Sequence, residues 1–310
     1  MSVAVRPLPP ELVEKAKADL FEDANKLQDS IQHLKDWIAK QPHLKARTDD
    51  QWLAAFLRGC KFSLERTKEK LDLYYSLKVF TSELNTLNHR DSKFMEILKL
   101  GITVVLPKTE KITDPRVILI RSGMYSPGQY TIGEILSIAN VIQKIMYLED
   151  DQLMVNGGIS IMDLKGTSMA HFTQFTPTIM KKMVVAGQDA APVRMKAAHY
   201  INMPSGFETL FNVGKTFMNE KNRNRLHVHG RDYESLYKFV SKDILPAEYG
   251  GNGGTIEEIT DYWATKIEEY RHWLDEEEKY GTDESKRPGK PKTSEDLFGV
   301  EGSFRKLDFD

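Results

Sequence analysis

Short apolar runs alternate with capped helical segments between residues 91 and 251, and this alternation constrains the fold more than any other feature. Residues 102–106 and 117–120 are rich in β-branched side chains and lie beside Pro107 and Pro115, which is typical of strands. Further runs of strand length occupy residues 158–163, 196–202 and 226–229. Strands that alternate with helices predict an α/β fold with a largely parallel or mixed sheet and helices packed against it.

Helix-start signals separate these strands. Thr131 and Glu134 form a capping box, which predicts a helix to about Leu148. Pro177 can begin another helix that ends near Gly187. Asp232 is expected to cap a later one. A second capping box, Thr255 with Glu258, predicts a last helix whose apolar face reaches Leu274.

The first 80 or so residues predict a small all-helical part. Residues 10–39 keep an apolar period near 3.6, which indicates one long helix. Thr48 with Gln51 has the form of a capping box for a second helix. Ser63 can cap a third helix. We therefore expect an N-terminal helical subdomain at residues 1–85, an α/β domain at 91–254, and a C-terminal part at 255–310.

The C-terminal part is expected to be a helix followed by a linker and a tail. Residues 281–295 are polar and rich in Lys and Pro, which is typical of a linker. Phe298 and Phe304 could dock back on the body of the protein.

Composition indicates a soluble protein of a reducing compartment. Cys60 is the only cysteine among 310 residues, so no internal disulfide can form. No run approaches the 18 apolar residues of a membrane span, and the N-terminus lacks a signal-peptide pattern. The formal net charge is −2, so binding to a polyanion would need a local basic patch. We expect a cytoplasmic monomer with no nucleic-acid partner.

The stretch 192–230 combines a strand, a break at residues 203–206, an amphipathic helix and a cluster of cations. The apolar residues at helical spacing are Phe207, Leu210, Phe211, Phe217 and Met218, and the cations are Lys215, Lys221, Arg223, Arg225 and Arg231. One interpretation is a gate over an apolar cavity that docks on an anionic surface. The other is an ordinary amphipathic helix with solvated charges at its end.

No catalytic, nucleotide or metal motif is complete. Residues 214–216 lack the earlier glycine of a phosphate-binding loop. His227 and His229 have no third ligand at motif spacing, so we expect no metal and no cofactor. Asp163 is better placed as a turn residue than as a base, and Cys60 is expected to pack as a small hydrophobe.

Four segments in order resemble one family. Residues 52–62 resemble the N-terminal helical signature of CRAL-TRIO lipid-transfer proteins, and residues 158–166 resemble the central strand of their binding domain. Residues 192–204 are similar to the floor strand, and 245–251 to the closing motif. The resemblance covers about residues 27–254 and is nearest to the tocopherol-transfer and retinaldehyde-binding branch.

The resemblance implies an N-terminal helical subdomain and a mixed β-sheet domain with one deep apolar cavity. A mobile gate helix, here about residues 204–219, would close that cavity. The implied lining residues are Leu136, Ala139, Gln143, Ile161, Phe175, Met183, Val193, Ala198, Phe207, Leu210 and Phe211.

In the tocopherol-transfer branch, basic residues beside the gate bind phosphoinositide head groups. The matching positions here are Arg58, Arg194, Lys221 and Arg225. Lys221 and Arg225 would share one face of a continuing helix. The alternative is a generic basic rim whose charges are only solvated.

Two departures bear on the cargo. Ala139 and Gln143 stand where the tocopherol-transfer pocket has two serines, and Gln143 could still bond a hydroxyl or carbonyl. Val193 replaces a glutamate that helps to hold inositol in the phosphatidylinositol-transfer branch.

The sequence therefore predicts a carrier, not an enzyme, for one hydrophobic molecule such as a tocopherol, a retinoid or a related isoprenoid. The carrier would associate transiently with phosphoinositide membranes. The alternatives are a phospholipid or phosphatidylinositol exchanger of the same fold, and a hydrolase that uses Asp163 or His171.

Overall fold

The N-terminal part of the chain is helical in the computed structural model, which describes residues 4–231 and 233–299. Its elements are α1 (Pro10–Lys15), α2 (Ala24–Ala39), β1 (Leu44–Lys45), α3 (Asp50–Gly59) and α4 (Leu64–Phe80). The prediction of one helix over residues 10–39 is wrong. A π-helical turn ends at Phe21, which has a left-handed φ of 64°, and the Asp23 side chain then caps α2 by accepting from the Asn25 amide.

The predicted capping box of Thr48 and Gln51 is also wrong. Helix α3 begins at Asp50, and Asp49 is its N-cap residue without a side-chain bond. The Gln51 side chain instead accepts a hydrogen bond from the Arg6 amide at 2.9 Å and donates to Asp151 at 3.0 Å. A long-range contact has therefore taken the group that a local cap would use.

Five strands form a mixed sheet in chain order. They are β2 (Thr103–Val105), β3 (Arg116–Arg121), β4 (Gly158–Asp163), β5 (Met195–Ile201) and β6 (Leu226–Val228). Strand β2 is antiparallel to β3, and every later pair is parallel. The predicted α/β class and its mixed sheet are confirmed.

Helices fill the connections that parallel strands require. These helices are α6 (Ile132–Glu149), α7 (Asp151–Asn156), α8 (Met169–Phe172), α9 (Pro177–Val184), α10 (Phe207–Thr216) and α11 (Glu220–Arg223), whereas α5 (Ser92–Lys99) precedes β2. The capping box of Thr131 and Glu134 is present. Helix α9 starts at Pro177 and continues into a π-helical turn, Val185–Ala190. We call this segment the π turn.

The last part of the chain is also helical. It contains α12 (Glu234–Tyr237), α13 (Ile256–Glu269) and α14 (Arg271–Glu277). The predicted cap Asp232 lies outside the described residues. Thr255 and Glu258 form the predicted capping box. The single helix expected through Leu274 is instead two helices, because Tyr270 leaves helical geometry between α13 and α14.

Residues 281–295 are not a free linker, which corrects the prediction from composition. Strand β7 (Gly281–Thr282) pairs with β1. Arg287 and Lys292 donate to the carboxylate of Asp72 on α4, at distances between 2.6 and 2.9 Å. Helix α15 (Ser294–Phe298) buries Phe298 in a cluster with Leu77 and Val185. Phe304 lies outside the described residues.

One hydrophobic core joins these parts. Buried side chains of α2 and α3, the sheet strands, α6 and α13 belong to a single contact cluster. Because successive strand residues point to opposite faces of a sheet, β4 contributes Ile161 to this core on one face and presents Ser160 and Met162 on the other. No helix in the described ranges 4–231 and 233–299 is long and apolar enough to cross a membrane.

Candidate ligand cavity and basic surface

An apolar cavity of about 440 Å³ lies between the second face of the sheet and helices α8, α9 and α10. Its floor is formed by strand residues that share this face, namely Ile120, Ser160, Met162 and Tyr200. Its wall includes Phe172, Phe175, Met180 and Met183. A volume of this size is typical of a site for one small hydrophobic molecule.

Helix α10 covers the cavity with its apolar face. The segment before it ends at Gly206, whose φ of 89° is favourable only for glycine. The Phe207 ring is 5.2 Å from that of Phe172, and the Phe211 ring is 4.8 Å from that of Tyr200. Leu210 and Met218 also line the cavity. The helix therefore covers the cavity with apolar side chains.

The helix also carries positive charge at the cavity. The Lys215 Nζ lies 4.8 Å from the centroid of the Phe211 ring, and Lys215 lines the cavity. Phe217, which belongs to the same apolar stripe in the sequence, points elsewhere and lies under Lys181 on α9. Four residues of the apolar stripe thus line the cavity, and Phe217 does not.

A second, more polar chamber of about 320 Å³ adjoins this cavity. We call it the polar chamber. It is lined by α4, α6 and the π turn, and Met183 and Gly187 line both spaces. Its polar residues include Lys78, Asn140, Gln143 and Lys144. Burial lowers the pKa of Lys78 to about 8, against the opposing effect of Glu277.

The structure brings together most, but not all, of the lining residues implied by the resemblance. Phe175, Met183, Phe207, Leu210 and Phe211 line the apolar cavity, and Leu136, Gln143 and Met183 line the polar chamber. Ala139, Ile161, Val193 and Ala198 line neither space. Ile161 lies on the opposite face of the sheet in the main core.

A larger open groove of about 720 Å³ lies between α6, α7 and α13, away from α10. Its lining includes charged side chains, among them Lys108, Arg116 and Asp151. A site for an apolar molecule needs a mostly apolar lining, so the cavity under α10 is the better candidate.

Arg58 is not free to bind a head group. Its side chain is 1% exposed. Its guanidinium donates two bonds of 2.9 Å to Glu22 and one of 3.0 Å to Asp151. A bidentate pair of this kind is strong and directional. Arg58 therefore joins the N-terminal helices to α7, and the structure does not place it in a surface patch.

The other three predicted cations belong to a cluster that we call the basic surface. It consists of Lys61, Arg66, Arg194, Lys196, Lys221 and Arg225. Burial, and then the charges of Arg225, Lys61, Arg194 and Arg66, lower the pKa of Lys221. Mutual repulsion of this kind requires that the groups lie close together. Lys61 and Arg66 were missed from the sequence because they precede the rest of the cluster by about 130 residues.

The backbone holds two members of this surface in place. Arg194 donates to the carbonyl oxygens of Arg58, Met154 and Val155 at 2.6 to 2.9 Å, and burial lowers its pKa to about 10. Arg225 donates to the carbonyl oxygen of Met195. Arg225 lies beyond the end of α11, so the continuing helix expected to pair it with Lys221 is absent.

An exposed aromatic residue lies beside the basic surface. Phe21 is 70% exposed, and the Lys61 Nζ is 6.0 Å from its ring centroid. A large exposed aromatic side chain therefore lies next to one cation of the basic surface.

The two residues of the hydrolase alternative have structural roles. Asp163 accepts from the Tyr249 hydroxyl at 2.5 Å and from Asn202 at 2.8 Å. His171 Nδ1 accepts from the Ser168 amide, and its Nε2 is 2.9 Å from the Tyr125 carbonyl oxygen. Both imidazole nitrogens are thus engaged, and neither can take a proton from a nucleophile without losing a bond.

Further side chains with reactive groups among the described residues are His199, His227, His229 and Cys60. His199 contacts both His227 and His229 on the other face of the sheet, and its Nδ1 is 2.9 Å from His229 Nε2. Burial raises the pKa of the Cys60 thiol, which opposes reactivity. No group of three or more His, Cys, Asp or Glu that could hold a metal occurs in residues 4–231 and 233–299.

The chain is similar to two family models and to several known proteins. Residues 101–251 match the family model described as CRAL/TRIO domain, and residues 23–93 match the one described as Pinta-like, UBA domain. The chain is 36% identical over 255 residues to alpha-tocopherol transfer protein-like of Homo sapiens, which covers 81% of this chain and 72% of that protein. It is 27% identical over 295 residues to Clavesin-2 of Homo sapiens, over 91% of this chain and 85% of that protein.

A solved structure has the same fold. The crystal structure of Sfh5 superposes with a TM-score of 0.50 at 14% identity, over 77% of this chain and 92% of that one. Together with a relative at 36% identity that spans most of both chains, this establishes that the chain belongs to the CRAL-TRIO family of lipid-binding and transfer proteins.

Proposed function

We propose that this protein carries one hydrophobic molecule of the tocopherol, retinoid or related isoprenoid class in the cavity under α10, without a catalytic step. The observation that supports this most is the pairing of an apolar cavity with a covering helix whose apolar residues point into it. A molecule of this class has a long apolar body and one small polar group, which suits an apolar cavity with a polar chamber at its side.

We propose further that α10 is a gate. Its apolar face covers the cavity when closed and meets the membrane when open, so that those side chains contact water only briefly. Gly206 and the preceding break at residues 203–206 provide the hinge, because lid movements are absorbed by a few residues at element ends.

The basic surface is the proposed dock on phosphoinositide membranes of the cytoplasmic side. Lys221 and Arg225 follow α10 within nine residues, so docking would bring the gate to the lipid. Each basic side chain near an anionic membrane contributes roughly 1 kcal/mol. The six cations of the basic surface would give reversible binding, and Phe21 would add apolar contact with the interface.

Two double variants test whether gate and dock are separate. Replacing Lys221 and Arg225 with Ala should weaken binding to phosphoinositide vesicles by about 2 kcal/mol, and more at low salt, where surface charges are least screened. Cargo affinity should barely change. Replacing Phe207 and Leu210 with Asp should reduce both cargo retention and vesicle contact, because the apolar face of α10 is proposed to cover the cavity and to meet the membrane. Vesicle sedimentation and tryptophan quenching by retinol or α-tocopherol measure the two effects.

The matched control for charge is Lys99→Ala with Lys108→Ala, two exposed lysines outside the basic surface. This control should leave vesicle binding unchanged. Equal loss in the control and the Lys221/Arg225 variant would contradict the dock. Failure of the wild-type protein to bind any isoprenoid would contradict the carrier function itself.

A further inference from the structure

The polar chamber contains a lysine without a partner. Lys144 is the only charged residue between Glu134 and Glu149 on α6, and it lines the chamber. Within residues 4–231 and 233–299, its ammonium group makes no hydrogen bond or ion pair. Burial lowers the pKa of Lys144. Lys144 is half-buried, so its unpaired ammonium group is available to an anionic ligand that enters the chamber.

The acids that act on Lys144 are already engaged elsewhere. They are Glu277 and Glu278. Glu277 is fully buried, pairs with Arg47 at 3.0 Å and lies 3.6 Å from Lys78. Glu278 accepts from Asn88 and lies 3.7 Å from His89. The chamber therefore has a surplus of positive charge once these pairs are counted.

A second donor lies next to this lysine. The Tyr147 hydroxyl donates to Gln143 Oε1 at 3.0 Å, which leaves the Gln143 amide nitrogen without an acceptor among the described residues. Gln143 and Lys144 are neighbours in sequence and line the same chamber. Two donors without acceptors in one chamber are suited to the two oxygens of a carboxylate.

We infer that the polar chamber binds the carboxylate of a single-tailed lipid, with Lys144 and Gln143 as its donors. The tail passes Met183 and Gly187, which line both spaces, into the cavity under α10. A Cβ placed on Gly187 would meet no atom within 4 Å, so no side chain fills the space beside this glycine. The inference rests on the proposed carrier function and narrows its cargo from neutral isoprenoids to acids.

The test compares two ligands that differ only in the head group, retinoic acid and retinol. Wild-type protein should bind the acid more tightly, because the ammonium group pairs with the carboxylate. Lys144→Met should lose at least about tenfold in affinity for the acid and less than threefold for the alcohol. Lys99→Met, on an exposed lysine of α5, should change neither affinity.

The outcomes separate this inference from the carrier function. Wild-type binding of retinol without the acid would overturn the carboxylate site and leave the carrier function intact. Equal losses for both ligands in Lys144→Met would also overturn it, since a merely structural lysine would act that way. Extraction of phosphatidylinositol from vesicles in place of the acid would favour a phospholipid exchanger. Binding of no isoprenoid at all would contradict the carrier function as well.

A pH series on the unaltered protein gives a measurement that does not depend on a variant. The groups that face Lys144 are Lys78, Glu277 and Glu278, together with Tyr74 and Tyr147, whose pKa values burial raises. Between pH 7 and 10 the carboxylate stays ionised, while Lys78, whose pKa is about 8, loses its proton, and the lowered pKa of Lys144 brings its own proton loss below the usual pH range of a lysine. The ratio of acid to alcohol affinity should therefore fall as pH rises. A constant ratio to pH 10 would overturn the inference.

Discussion

Arg58 and Lys144 carry the same charge, and their surroundings give them opposite roles. Arg58 is fully paired with Glu22 and Asp151. Its guanidinium group therefore joins helices and does not bind a ligand. Lys144 has no partner in the described residues, so its charge remains available to a ligand. Arg58 is buried and paired, which is what a buried cation needs, whereas Lys144 is half-buried and unpaired, which makes Lys144 the stronger functional candidate.

The pKa of His199 makes stability depend on pH. Burial, and then the charges of His229 and His227, lower this pKa to about 4. The unfolded chain, with a pKa near 6.5, therefore binds the proton more readily. The stabilising effect is fully present above pH 6.5 and is lost as pH falls towards 4. We expect a loss of about 2 kcal/mol in unfolding free energy between pH 7 and pH 5 from this residue.

Urea unfolding at pH 7 and pH 5 measures this loss. His199→Gln should reduce the difference between the two pH values by about the same amount. His33→Gln, an exposed histidine on α2, is the matched control and should keep the wild-type difference. If His199→Gln also kept it, another group would be responsible for the acid sensitivity.

Single residues also mark the limit of prediction from sequence. The pairing of Arg58 depends on Glu22 and Asp151, which are 36 and 93 residues away, and no local pattern shows such partners. Lys144 did leave a local signal, since it stands among thirteen uncharged positions of α6. The sequence alone cannot show that this lysine faces a chamber, because α4 and the π turn, which form its other walls, lie far from α6 in sequence.

At the scale of elements, local rules succeeded where the interaction itself is local. The capping boxes at Thr131 and Thr255 join residues three apart, and both formed. The one expected at Thr48 did not form, because Gln51 bonds Arg6 and Asp151 instead. The alternation of strands and helices fixed the fold class, whereas hydrophobic spacing alone could not show which face of β4 meets the cavity.

The π turn is the element that connects the two ligand spaces. Its Gly187 lines both the cavity and the polar chamber, and Gln188 accepts hydrogen bonds from Asn219 and Asn222 after α10. Wide turns of this kind often occur at functional sites. Here the turn holds the residues that follow α10 and leaves a gap at Gly187.

Filling this gap should block cargo without harming the fold. Gly187→Leu adds a side chain where no atom lies within 4 Å and replaces a residue of low helix propensity. We expect unchanged or slightly raised thermal stability, and at least about a tenfold loss of affinity for retinol. Gly230→Leu, at an exposed glycine with equally open surroundings, should retain wild-type affinity. Equal affinity in both variants would show that cargo does not pass Gly187.

At the scale of the whole molecule, residues 281–299, which we call the C-terminal segment, are bonded to the N-terminal helices. Asp72 of α4 accepts from Arg287, Lys292 and His43, and strand β7 extends the contact to β1. Burial alone would raise the pKa of Asp72, but these hydrogen bonds outweigh it and lower the pKa to about 2. The polar composition of residues 281–295 predicts a linker. Composition cannot show that Arg287 and Lys292 have a fixed partner in Asp72.

Removing this carboxylate should loosen the whole C-terminal segment. Asp72→Ala leaves Arg287 and Lys292 without their shared acceptor, and breaking a buried pair on one side costs about 3 kcal/mol. Urea unfolding at pH 7 should show that loss, and limited proteolysis should cleave residues 281–299 sooner than in the wild type.

Because Asp72 stabilises the fold above pH 3.8 and loses this effect as pH falls towards 2, the variant should also be less sensitive to acid in that range. Asp36→Ala is the matched control, since it removes an exposed carboxylate that accepts from Gln32 on the same helix. If it were as destabilising as Asp72→Ala, the C-terminal segment would not be held through Asp72.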